Sequence, residues 1–458
     1  MKQYDAIIIG FGKGGKTLAA ELSNRGWKVA LIERSEKMYG GTCINVGCIP
    51  TKALIHEAQT AETLFKDEYK KQAVFYKHAV ARKDKMTAFL REKNFNNLTS
   101  HPNVTFYNGS AFFLSPKEVK VVFADEELTL QGKEVFIDTG STSILPAIEG
   151  IRDSKRVYTS TTLLDLDVLP HHLIVVGAGT IGLEYASMYA GFGSKVTVIE
   201  GGNKFFPAQD RDIAAKVKED LEARGVEFCM NARVQSIADT DESVTLAYID
   251  AATGTPHHLE ASAILVATGR KPLIDSLNLE EAGVQVDAHG AIVVDEHLHT
   301  TVPHIWALGD VKGGAQFTYL SLDDFRIIRN QLFGDRTRST ADRNPVPYAL
   351  FIDPPLAHVG LTEEEAVRHG YSIRVSQLPA LSVVRTRTLQ KTAGMLKAVI
   401  DAQTGRIIGC TLFCAGAPEI INIVNVAMKT GQKYTFLRDF IFTHPSMSEG
   451  LNELFNIE

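Results

Sequence analysis

The chain has 458 residues, 45% hydrophobic and 22% charged, with a net charge of −6 and no basic tract. This is the makeup of a globular protein of roughly two to four domains, and it argues against nucleic acid as the main partner. No apolar run is long enough to span a membrane, and the run ending at Gly10 is too short for a signal-peptide core, so a cytoplasmic protein is expected, in which a disulfide is catalytic rather than structural.

Ala6-Ile7-Ile8-Ile9 is a continuous apolar run, the mark of a buried parallel strand. A glycine turn, Gly10-Phe11-Gly12-Lys13-Gly14-Gly15, follows at once, then a helical pattern over Thr17–Leu22 and a second strand, Lys28–Ile32, closed by Glu33. A lone G-x-G-x-x-G is weak evidence. Strand, glycines, helix, strand and terminal acid together predict a dinucleotide-binding unit, with the pyrophosphate at the helix N-terminus and Glu33 on a ribose.

Gly40-Gly41-Thr42-Cys43-Ile44-Asn45-Val46-Gly47-Cys48-Ile49-Pro50-Thr51-Lys52 comes next. Cys43 and Cys48 are five apart, so they can pair only across a bent backbone. Pro50 reads as the first residue of a helix, which places Cys48 near a helix N-terminus where a thiolate is favoured, with Lys52 adding positive charge. In this setting the pair reads as a redox-active dithiol rather than two buried cysteines. Cys229, Cys410 and Cys414 read as small buried hydrophobes.

Residues 78–98 suggest an amphipathic helix with Met86, Phe89, Leu90 and Phe95 inward and its lysines and arginines solvated. The segment from Pro146 to Pro170 is a plausible crossing into a second nucleotide domain. There the first grammar returns: Leu173–Val176, the turn Gly177-Ala178-Gly179-Thr180-Ile181-Gly182, a helix from about Leu183, and Lys195–Ile199 ending at Glu200. Gly10 to Glu33 and Gly177 to Glu200 each span 23 positions, an internal repeat that implies two dinucleotides. Each unit is followed by a strand ending in Thr-Gly, at Thr139-Gly140 and Thr268-Gly269. Ile305–Asp310 is a short strand ending in an acid that either binds a polyol or caps the next helix. After about Asn344 strands and the helix Pro418–Met428 suggest an α+β terminal domain. It ends in His444-Pro445-Ser446-Met447-Ser448-Glu449, where Glu449 could orient the imidazole. Arg385 and Arg387 read as solvated charge.

These motifs, in this order and over essentially the whole chain, resemble the pyridine nucleotide–disulfide oxidoreductases: glutathione reductase, dihydrolipoamide dehydrogenase and mercuric reductase. The resemblance implies an α/β fold with two Rossmann-like domains and a C-terminal α+β dimerisation domain: FAD-binding over 1–148 and 267–343, NAD(P)-binding over 149–266, dimerisation over 344–458. It implies Cys48 against the flavin and Cys43 facing substrate, Lys52 paired with Glu184, and Asp310 on the ribityl chain. It implies further FAD contacts at Gly10, Gly12, Gly15, Glu33, Gly41, Thr42, Lys52, Ala111, Thr139 and Gly140, and nucleotide contacts at Gly177, Gly179, Gly182, Glu200 and Gly269. It also implies an obligate homodimer in which His444, oriented by Glu449, reaches the dithiol of the other subunit.

The segments Gly313–Asp324 and Ile441–Glu449 look most like the RclA-type reactive-chlorine-resistance flavoproteins. For that type hypothiocyanous acid is the implied small oxidant, with copper(II) a further acceptor. Thiolate Cys43 would attack the electrophilic sulfur, thiocyanate would leave, and Cys48 would resolve the mixed species. Glu200 favours the free 2′-hydroxyl of NADH over NADPH, with Lys204 a countervailing charge. The alternatives are a dihydrolipoamide dehydrogenase, a glutathione-type reductase, a mercuric reductase-like enzyme and a redox-sensing flavoprotein. Thr180 stands where glutathione reductases carry a tyrosine lid. The vicinal cysteine pair that mercuric reductases carry at the C-terminus is lacking near Glu458.

Overall fold

The computed structural model describes residues 1–123 and 126–457, so Glu458 lies outside the described residues. The first apolar run becomes the strand Lys2–Ile9, central in a sheet. Its parallel neighbours are Val29–Glu33 and Glu127–Ile137, with Ile7 opposite Ala30 on one side and Val135 on the other. Val104–Asn108 extends one edge in parallel, and Ile305–Ala307 also pairs in parallel with Glu127–Ile137. Glu118–Val122 and Ser110–Ser115 continue the other side as an antiparallel ribbon.

Ile7 and Ile9 pack into one apolar layer with Phe113 and Val135, while Ala6 and Ile8 pack into another with Leu18, Phe136 and Trp306. Both faces are therefore covered, which is why the strand is apolar without alternation. Burying each such isoleucine stabilises the fold by about 1.5–3 kcal/mol relative to exposure. Trp306 stacks on Phe136 with centroids 5.9 Å apart and donates Nε1–H to Glu134 at 2.8 Å. Trp27 meets Phe333 edge-on at 5.6 Å.

The second half repeats the plan. Val226–Cys229, Lys195–Ile199, His172–Val176, Ala263–Val266 and Val157–Thr159 form an all-parallel sheet in that order. An antiparallel sheet of Ala232–Asp239, Val244–Asp250 and Pro256–Ala261 lies beside it. From Tyr348 onward a five-stranded antiparallel sheet carries the helix Ala417–Lys429 and its own core, built on Leu396, Leu412, Ile421 and Leu451. Among the described residues no helix is long and apolar enough to cross a membrane.

Several local expectations are corrected. The helix after the dithiol starts at Cys48, not Pro50, because the chain turns helical directly after Gly47. The helix of the second unit starts at Thr180, three residues before Leu183. The long helix spans Tyr69–Thr99, and Phe89 points outward, 63% exposed, while Met86, Leu90 and Phe95 are half-buried. Its cations are not all solvated: Lys83 is buried and donates to the Leu164 carbonyl at 2.7 Å. Cys410 and Cys414 are buried, but Cys229 only partly so.

Candidate active site

Both glycine turns exist because the backbone crosses a neighbouring strand end at close range. Gly10 has φ +109°, and a Cβ there would lie 2.2 Å from the Asp138 carbonyl oxygen; Gly177 has φ +107°, with the Ala267 carbonyl oxygen 2.6 Å from the same position. Only glycine accepts both conditions. Each turn delivers its chain to a helix N-terminus, at Lys13 and at Thr180. Each terminal acid then ties its turn down. Glu33 accepts from Phe11 N at 3.2 Å and Ser35 N at 3.1 Å, and Glu200 from Ala178 N and Gly202 N, both at 2.8 Å. Burial raises the proton affinity of Glu33.

A cavity of about 1490 Å³ runs from the first turn past the two cysteines. Gly10, Gly12, Glu33, Gly41, Thr42, Cys43, Cys48, Lys52, Ala111, Thr139, Gly140, Glu184 and Asp310 all line it. A second cavity of about 610 Å³ is lined by Gly177, Gly179, Glu200 and Gly269. Gly15 and Gly182 line neither. Gly15 N–H is taken by the Asp138 carboxylate at 2.7 Å, and a Cβ on Gly182 would sit 1.9 Å from the Gly177 carbonyl. The third glycine of each turn thus serves helix–strand packing rather than direct contact.

Gly41 (φ +89°) lies so close to Gly12 that a Cβ would fall 2.9 Å from its Cα, which seats the thiol loop on the first turn. The loop is held from below by Asn45, which donates to the carbonyls of Tyr39 and Gly41 and accepts from Arg91 Nε. Cys48, the first helical residue, faces the cavity, and Thr318 Oγ1 lies 3.7 Å from its sulfur. Both thiols are free. The neighbouring Cys43, with help from Thr318 and Lys52, lowers the Cys48 thiol to about 6. Cys48 in turn, with burial, pushes Cys43 up. The two directions agree: within the pair the negative charge is favoured on Cys48 and the proton on Cys43.

Lys52 Nζ bonds both oxygens of the buried Glu184 carboxylate, at 2.7 and 2.9 Å. Glu184 also accepts from Phe351 N at 2.9 Å, joining the thiol helix, the second nucleotide unit and the terminal domain. Asp310 accepts from Ser141 Oγ at 2.8 Å, and Ser141 Oγ in turn accepts from Arg270 Nε at 2.9 Å. His444 stands apart. Its Nδ1 is 2.7 Å from Glu449 Oε2, its side chain is 70% exposed, and it does not line the thiol cavity of its own chain.

Sequence reading missed Asp138 and Thr318. Asp138 is fully buried against the first turn, and burial raises its carboxyl well above the ordinary range. Its only signal was position, one residue before Thr139-Gly140. Thr318 lies 270 residues from Cys48, inside the segment Gly313–Asp324, and nothing in that segment tied it to the thiols.

Two glycine-turn units flanking a thiol pair, with a separate antiparallel terminal domain, define a nucleotide-dependent disulfide reductase. Residues 4–324 match the family model for "Pyridine nucleotide-disulphide oxidoreductase", and residues 346–455 match its dimerisation domain. The chain is 47% identical over 457 residues to "Probable pyridine nucleotide-disulfide oxidoreductase RclA" of Escherichia coli (strain K12), covering 100% of both chains. It is 31% identical over 460 residues to "Dihydrolipoyl dehydrogenase, mitochondrial" of Pisum sativum, covering 98% of this chain and 90% of that one. The solved "Cu(II) complex of HOCl-induced flavoprotein disulfide reductase RclA C43S mutant from Escherichia coli" matches with a TM-score of 0.94 at 46% identity, covering 100% of both. The chain belongs to the pyridine nucleotide-disulphide oxidoreductase family, whose members use FAD and a pyridine nucleotide.

The first cavity fits FAD. Besides the turn and Glu33, it contains a buried Thr139 hydroxyl that has no hydrogen-bond partner, an orphan that a bound ligand would satisfy.

Proposed function

We propose that the enzyme uses NADH to reduce a small electrophilic oxidant, hypothiocyanous acid, through the Cys43–Cys48 dithiol. The observation that carries this reading is the thiol pair itself: two free cysteines on the wall of one cavity, the Cys48 thiol held low and backed by Lys52–Glu184. Bound FAD would relay two electrons from the nicotinamide to the Cys43–Cys48 disulfide. Gly10, Gly12, Glu33, Thr139 and Asp310 would hold it, and Gly177, Gly179 and Glu200 would hold the nucleotide.

Each remaining step belongs to the protein's own groups. Cys43 loses its proton to a base and attacks the sulfur of hypothiocyanous acid, breaking the S–O bond. The departing hydroxide takes up that proton and leaves as water. Cys48 thiolate then attacks the Cys43 sulfur, the S–SCN bond breaks, and thiocyanate leaves with the disulfide formed. The dithiol is oxidised by two electrons and the oxidant reduced by two.

The base in this reading is His444 of a second copy, oriented by Glu449. The exposed apolar residues beside it, Phe436, Phe440 and the 94%-exposed Ile441, supply a surface for that copy to cover. Glu200 at the end of its strand supports NADH over NADPH, and we assign the enzyme to the cytoplasm. Copper(II) is a second acceptor worth measuring, because a similar chain is solved as a Cu(II) complex.

The test is steady-state NADH oxidation by FAD-loaded protein with hypothiocyanous acid beside lipoamide, oxidised glutathione and mercuric ion. Fast turnover with hypothiocyanous acid alone is expected. Fast turnover with lipoamide or glutathione instead would overturn the substrate assignment. Cys43→Ser should keep FAD and lose oxidant reduction, and full turnover in that variant would overturn the mechanism.

A further inference from the structure

Lys16 is a half-buried cation that nothing above uses. It sits one turn into the helix Lys13–Asn24, and its Nζ donates to the Gly40 carbonyl at 3.1 Å and to Asn94 Oδ1 at 2.6 Å. Gly40 lies three residues before Cys43, so the ammonium is pinned beneath the thiol loop. No carboxylate forms an ion pair with it among the described residues, although an ammonium partly withdrawn from water gains from one. A desolvated cation without an acidic partner, aimed at a reactive loop, marks a functional position rather than a structural one.

We infer that Lys16 is a positioning residue for the dithiol: its ammonium, fixed by Gly40 and Asn94, is the positive charge that favours the anionic sulfur of Cys43. This rests on the reading of Cys43 as the attacking thiol.

The charges facing this spot agree. Lys16 and Cys43 attract each other, Lys13 on the same helix opposes the Lys16 charge, and Asp138 from the strand end supports it. Around Cys43 stand Cys48, which opposes its ionisation, and Thr318, which favours it. Burial lowers Lys16 to about 8, so its charge is present at neutral pH and is lost above that. The device supplements an external base. The base removes the proton, and Lys16 stabilises the charge left on sulfur.

The test is the pH profile of Cys43 alkylation by iodoacetamide in FAD-loaded enzyme carrying Cys48→Ser, read by mass spectrometry of the Cys43 peptide. Adding Lys16→Met should move the profile up by about one pH unit, which is about tenfold less modification at a fixed pH on the rising limb. Lys16→Arg should restore the original midpoint. Asn94→Ala, which removes one tether and keeps the charge, should leave the midpoint nearly in place and remains informative even if Lys16→Met fails to fold. An unshifted profile in Lys16→Met, or an equal shift in Lys16→Arg or Asn94→Ala, would overturn the inference. The readout follows Cys43 ionisation, not turnover, so it stays separable from the mechanism. If Cys43→Ser turns over normally while Lys16→Met still shifts the profile, the reading of Cys43 as attacking thiol fails and the electrostatic coupling stands.

Discussion

The two nucleotide units share a plan and part at the strand end behind the turn. Strand, turn, helix and terminal acid repeat at the same spacing, and both first glycines cross a carbonyl at positive φ. Where the first unit has Asp138, the second has Ala267. In the first, the buried carboxyl takes Gly15 N–H and lies against both Gly12 and Gly309. In the second, no side chain fills that place. The first unit opens on a cavity of about 1490 Å³ that continues to the thiols, the second on one of about 610 Å³. The difference teaches how one motif is adapted to two residence times. A turn stitched to its neighbours suits a ligand that stays, and a smaller cavity without that stitch suits one that must come and go.

The largest test breaks the units apart. Gly10→Val forces a Cβ into the Asp138 carbonyl and should yield protein without flavin, whereas Gly177→Val should keep its yellow absorbance and lose NADH oxidation. Loss of flavin in both would show that the units are not separable. The thiols belong to the first unit, so the acid dependence of turnover should arise there. With the Cys48 thiol lowered to about 6, protonation below that pH would remove the thiolate that the proposed mechanism uses for resolution, and turnover should fall about tenfold per pH unit. NADH affinity, measured by calorimetry, should stay flat over the same range.

Glu200→Gln should lower kcat/KM for NADH by about tenfold, equivalent to about 1.4 kcal/mol, with little effect on flavin content. A preference for NADPH in the native enzyme would sink the role given to Glu200. The smallest effect concerns Asp138. Its carboxyl is raised by burial, so the stability it contributes is present at low pH and is lost as pH rises through its folded value. Asp138→Asn keeps an acceptor for Gly15 N–H and should flatten the pH dependence of Tm by a few degrees at the alkaline end. An unchanged slope would mean the carboxyl is not the titrating group.

Much of this was legible in the chain because it is local. The repeat, the glycine turns, the acids Glu33 and Glu200 and the loop around Cys43 and Cys48 each lie within a short stretch whose chemistry is self-contained. The Lys52–Glu184 pair was reached through family likeness, since 132 positions separate its members. Asp138 and Thr318 act across 123 and 270 positions, and Lys16 reaches Asn94 across 78, so periodicity and motif spacing could not find them. Phe89 was misplaced for a related reason. A long helix carries more than one apolar line, and tertiary neighbours decide which line is covered.

The chain has two tryptophans, Trp27 and Trp306, and both pack within the flavin-side unit. Indole emission is therefore a private channel for that unit. Trp306, pressed between His299 at 3.7 Å and Phe136, will change colour and yield when the first sheet loosens. The second unit and the terminal domain can melt in the dark, and a thermal scan that follows tryptophan alone reports the endurance of that one unit.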